Sequence, residues 1–152
     1  MRVHVPLAVF GLITMIAVPT CAATPDQQAQ EQQAIAALEA KISQAQPREQ
    51  CFLYAKLIHE MTEYSVQHYA AGDVQNANSL LQRIQQLAGK LRFIVSGRDK
   101  RLKNAEILLS HTSFRLKELL HASDYQDRPL VEQTLAQVDK AENDAMLQVF
   151  GK

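Results

Sequence analysis

Downstream of residue 24, apolar side chains recur at steps of three and four, the spacing that lines one face of an α-helix, and no strand-rich block interrupts them. The clearest run is Val74, Ala77, Leu81, Ile84, Ala88, Leu91 and Val95, a seam of the kind that packs in a bundle. A second joins Leu102, Ala105, Leu109, Thr112, Leu116 and Leu119 or Leu120, and a third joins Val131, Leu135, Val138, Ala145 and Val149. Between Pro47 and Ala71 the apolar arc widens from Leu53 through Tyr69 and leaves Lys56, Glu60, Glu63 and Gln67 for water, which predicts the central helix. Ile35, Leu38, Ile42 and Ala45 form only a thin stripe in Gln-rich surroundings, so the first helix belongs at the edge.

Turn chemistry divides these stripes. Thr24-Pro25-Asp26-Gln27 has the form of a helix start, with Thr24 as N-cap, and Pro47 restarts the chain after Ala45. Gly72 suits the left-handed residue that ends a helix, and Asp73 suits the cap of the next. Gly97 and Asp99 interrupt the third helix, a fourth spans Lys100 to Ala122, and Asp127 with Pro129 opens a fifth. Short joints make consecutive helices antiparallel. The predicted fold is all-α: an up-and-down antiparallel bundle of four core helices over residues 47–152, with a peripheral N-terminal helix over 24–46 packed across it or extending from it. No second copy of the Gly72-Asp73 hairpin appears at a period near 34 residues, which disfavours a solenoid.

The first 23 residues follow another pattern. Arg2, an apolar run from Val5 to Val18 and the small residues Cys21-Ala22-Ala23 have the layout of a secretory signal peptide. The run is bounded by Pro6 and Pro19, short of the ~20 residues that span a bilayer, and no positive stop-transfer flank follows. Cleavage near Ala23 places the mature chain in the periplasm or outside the cell, with no transmembrane span. The alternative is a lipoprotein anchored through Cys21, although Val18-Pro19-Thr20 lacks the small residue such processing prefers directly before the cysteine.

Composition narrows the function classes. Lys and Arg number 16 against 16 Asp and Glu, so nothing favours nucleic acid as a partner. Removing 23 residues from 152 leaves 129, enough for one core, and leaves Cys51 as the sole cysteine, so packing rather than a disulfide must hold the fold. No cofactor motif and no nucleophilic constellation is present, and the chain is read as a non-enzyme.

Three sets of side chains carry candidate chemistry. His59 and Glu63, with Glu118 and His121, are imidazole and carboxylate donors at helical spacing, suited to zinc, iron or copper; Glu118-Leu-Leu-His121 is a single Glu-x-x-His where a diiron bundle needs two. Glu118 and His121 fall opposite their helix's apolar stripe. Ile107, His111 and Phe114 share that outward side, and a helix apolar on two sides touches something on both: the first helix folding over, a protein partner, or a second copy. Lys90, Arg92, Arg98, Lys100, Arg101 and Lys103 gather around the joint of the third and fourth helices, against the acid Asp99. The simpler account pairs Arg101 or Lys103 with acids of the fifth helix, Glu142 or Asp144. The functional account is a patch for an anionic envelope surface or an acidic partner. His68 lies in the apolar arc of its helix, where a tyrosine hydroxyl or a backbone carbonyl is expected to satisfy it, and Cys51 is expected to be a buried thiol.

Two functional readings follow. One is a small secreted or periplasmic bundle with a non-catalytic interaction or structural role, binding a protein or envelope component. The other is a metal-binding bundle using its His and Glu side chains.

Overall fold

A computed structural model describes residues 25–94 and 100–150. The signal-like segment with Cys21, Thr24, Val95, Gly97, Arg98 and Asp99 lie outside the described residues. Five helices and no strand make up the described fold: α1 (Pro25–Gln44), α2 (Pro47–Ala70), α3 (Val74–Ile94), α4 (Lys100–Ala122) and α5 (Arg128–Phe150). None is long and apolar enough to cross a membrane.

The predicted stripes are the buried faces. Ala77, Leu81, Ile84, Ala88 and Leu91 of α3, Leu102, Ala105, Leu109, Thr112, Leu116 and Leu119 of α4, and Val131, Val138 and Ala145 of α5 all enter the core. Helix α2 supplies Ala55, Leu57, Ile58 and Met61 and touches α1, α3 and α4, which makes it the central element. Cys51 is a buried thiol.

The joint after α2 is built as its residues dictate. Gly72 has φ +79, its amide donates to the Tyr69 carbonyl and the Asp73 amide donates to the His68 carbonyl, the paired bonds of a Schellman end. Asp73 then caps α3, accepting from the Asn76 amide at 3.4 Å. At the joint after α4 the Asp127 carbonyl accepts the first helical bonds of α5, while its carboxylate accepts from Asn78 Nδ2 of α3 at 2.9 Å. The predicted capping residue thus spends its side chain on tying two helices together.

Consecutive helices run in opposite directions, yet the spatial order differs from the chain order. Among the described residues α3 and α4 do not pack on each other; α4 lies beside α2 and α5, and α3 lies beside α2 and α5. Cross-links fix the directions. Glu49 meets Arg101, His59 meets Thr112 and Glu63 meets Arg115, numbers that rise together, so α2 and α4 are parallel neighbours. Asn78 to Asp127, Gln85 to Thr134 and Arg92 to Asp144 show the same for α3 and α5. Helices α3 and α4 therefore occupy opposite corners of the bundle.

Helix α1 packs antiparallel on α2, burying Ile35, Leu38 and Ile42. Its C-terminal carbonyls of Ile42 and Ala45 accept from Gln50 Nε2 of α2. Its side chains lean toward α3, where Glu39 pairs with Arg83. It does not reach α4.

Candidate functional site

Among the described residues nothing covers the outward side of α4. Taking Thr112 and Arg115 as the side that meets α2 and Ser113 as the side that meets α5, Ile107 and Phe114 point between them and away from the core. Ile107 is 42% and Phe114 61% exposed, and His111 beside them is exposed as well. The expectation that the first helix covers this face fails because the thin stripe of α1 is consumed on α2, a full helix away.

The neighbouring helix carries exposed apolar side chains as well. Ser113 Oγ donates to Glu142 Oε2 at 3.0 Å, which sets the antiparallel register of α4 and α5. Met146 and Phe150 follow Glu142 at steps of four, so they continue its row along the α4 flank of α5. In that register they bracket the level of Ile107. Both are exposed, at 41% and 62%, and Leu147 next to them is exposed too. Helical periodicity within α5 marked Val149 as inward but gave no reason to single out this row, because its significance depends on which helix lies alongside.

The candidate metal ligands are drawn to other partners. Glu63 and Glu118 converge on Arg115: its Nε donates to Glu63 at 2.7 Å, its Nη2 to the second oxygen of Glu63 at 3.0 Å, and its Nη1 to Glu118. These bonds, Glu63 first and then Glu118, raise the guanidinium's hold on its proton further. A guanidinium thus stands where the two carboxylates meet. His59 Nδ1 lies 3.1 Å from Thr112 Oγ1, whose own proton goes to the Leu108 carbonyl at 2.7 Å, so the imidazole is the donor. His121 is exposed at the far end of α4. Among the described residues no three His, Cys, Asp or Glu side chains gather in a metal-binding arrangement. Arg115 was overlooked in the sequence, although its spacing to Glu118 is that of a helical ion pair.

The described residues of the basic cluster are divided between α3 and α4. Arg92 pairs with Asp144 of α5 at 2.6 Å, and Arg101 pairs with Glu49 of α2. The expected pairing of Arg101 or Lys103 with Glu142 or Asp144 is corrected by the register: Glu142 lies level with Ser113 in the middle of α4, well away from Arg101 and Lys103, and the start of α4 lies beside the start of α2, where Glu49 takes Arg101. Glu142 is engaged by Ser113 instead. Lys90, Lys100 and Lys103 are exposed.

His68 departs furthest from expectation. It is 5% exposed and stands between two carboxylates, with Nε2 2.8 Å from Glu31 Oε2 of α1 and Nδ1 3.1 Å from Asp73 Oδ2. Only an imidazolium donates at both nitrogens, so the cationic ring is the form that satisfies both acids. A hydrogen bond from the Asn76 side chain, aided by the Asn76 amide and by His68, holds the Asp73 carboxyl below its ordinary range against a smaller opposing effect of burial. Burial first, then the carboxylates of Glu60 and Glu31, push the nearby Tyr64 hydroxyl up. His68 also forms part of a polar groove of about 330 Å³ between α1 and α3, where Glu31, Glu39 and Arg83 contribute charges that are already paired. Its chemistry is that of a clip fastening α1. Comparison with protein-family models, curated proteins and solved structures finds no match to this chain.

Proposed function

We infer that this chain is a non-catalytic interaction protein acting outside the cytoplasm, in the periplasm or extracellular space after cleavage near Ala23, and that it binds a protein or envelope component through the outer face of α4. The observation that carries the reading is the exposure of Ile107 and Phe114 on a helix whose opposite face is fully committed to the core. Apolar side chains scattered singly on a surface mean little, but here Met146 and Phe150 extend the same area from the adjoining helix. Lys100 and Lys103 at one end and Glu118 at the other give it the charged rim of a recognition surface.

Native mass spectrometry of the protein from the envelope fraction of its own cells tests the reading. A chain beginning near Ala23 and retained with a bound macromolecule, with retention lost in Phe114→Asp while thermal unfolding is unchanged, is the expected result. A chain still carrying residues 1–23, or one whose associations ignore Phe114→Asp, contradicts it.

A further inference from the structure

We propose that the occupant of the α4 face is a second copy of this chain, docked antiparallel about a two-fold axis that crosses α4 between Ser110 and His111. The inference rests on the reading that this face is an interface, and it deepens that reading by naming the partner.

The order of side chains along the exposed stripe carries the argument. From the N-terminal end it presents Lys103, Ile107, His111, Phe114 and Glu118, all exposed. A two-fold axis through the centre brings each position onto one equally distant on the other side. Ile107 then lies level with Phe114 of the second copy, and Lys103 lies level with its Glu118. Each of these contacts occurs twice. The stripe therefore has unlike charges at its two ends and apolar groups symmetric about its middle, which is self-complementary only when reversed. A parallel pairing would set Lys103 against Lys103 and Glu118 against Glu118, and like charges in register are unfavourable.

The row on α5 fits the same arrangement. Met146 and Phe150 bracket the level of Ile107 on the adjoining helix, so Phe114 of the second copy arrives at Ile107 with apolar side chains from two helices around it. The contact is then broader than one helix pair. Glu118 is already held by Arg115 along its own helix, which keeps its carboxylate at the surface and oriented without using all its acceptor positions.

Sedimentation velocity of the processed protein over a range of concentrations, with charge-reversal variants, tests the proposal. The expected result is a reversible dimer that Phe114→Asp converts to monomer. Lys103→Glu alone and Glu118→Lys alone each weaken dimerisation roughly tenfold, and the double reversal restores it because every pair is again unlike. Thermal unfolding of dilute protein checks that the single variants remain folded. A monomer at all concentrations, or a dimer indifferent to all three changes, overturns the proposal. A photoreactive amino acid at position 114 in living cells separates this from the broader reading. An adduct of twice the chain mass supports the dimer, and an adduct with a different molecule removes the dimer but leaves the interface. Absence of any adduct removes both.

Discussion

Two flanks of this bundle carry apolar side chains, and among the described residues only one is covered by another helix of the chain. On the α2 flank, Ile35, Leu38 and Ile42 of α1 are buried, and directional bonds hold the helix in place: Glu31 to His68, Glu39 to Arg83, and Gln50 to the last carbonyls of α1. On the α4 flank, Ile107 and Phe114 face outward with no helix over them. The covered flank joins a thin apolar stripe to polar bonds that specify one partner. The bare flank has the apolar groups, and its charges stand at the rim where another molecule can read them.

The contrast can be broken at either end. Its largest expected effect separates the two faces of α4: Leu109→Ala, in the core, costs about 2–5 kcal/mol, whereas Ile107→Ala changes the stability of dilute protein by no more than about 0.5 kcal/mol. Urea unfolding of both variants measures the gap, and similar costs would mean that Ile107 is packed within one chain. Next in size is the α1 clip. His68→Ala leaves Glu31 and Asp73 without their shared donor and costs about 1–3 kcal/mol, with the loss concentrated in α1. Hydrogen exchange should show α1 amides opening far sooner than those of α4; uniform protection across all five helices would erase the distinction between a clipped helix and a core.

Smaller effects sharpen the covered flank at the turn that holds Asp73 beneath His68. Gly72→Ala meets no atom within 4 Å of the new Cβ, so its cost of about 1 kcal/mol in a thermal melt comes from the positive φ alone. The smallest effect is a pH dependence. Because the Asp73 carboxyl is held below its ordinary value in the folded protein, its contribution is present above the unfolded carboxylate value of ~3.9 and is lost as pH falls through the lower folded value. Asp73→Asn keeps a capping side chain but removes the titration. The wild type should therefore exceed this variant in stability at neutral pH, with the difference shrinking below about pH 4. A constant difference across that range would show that the charge of Asp73 contributes nothing.

The helices were readable because their signals are local. Pro25, Pro47, Gly72 with Asp73, and Asp127 with Pro129 punctuate the chain where the helices begin and end, and a periodicity of three and four picks out the buried face of each. The outward direction of Ile107 and Phe114 was readable for the same reason. What could not be read was adjacency. His68 finds Glu31, 37 residues earlier, and Glu63 finds Arg115, 52 residues later, only because α1 lies along α2 and α4 runs parallel to α2. The parallel course of α2 and α4 likewise sets Arg101 beside Glu49, while the register of α4 on α5 leaves it away from Glu142 and Asp144. Periodicity fixes which face of a helix is apolar and carries no record of which helix will meet it.

The chain contains no tryptophan, so Phe114→Trp places a single such fluorophore at the centre of the bare flank. The account predicts that its emission is blue-shifted and shielded from acrylamide in the protein at working concentration, and that it becomes red-shifted and quenchable on dilution or when Lys103→Glu is added. Red-shifted, fully quenchable emission at every concentration, in purified protein and in envelope extract alike, would contradict the claim that the outer face of α4 is an interface.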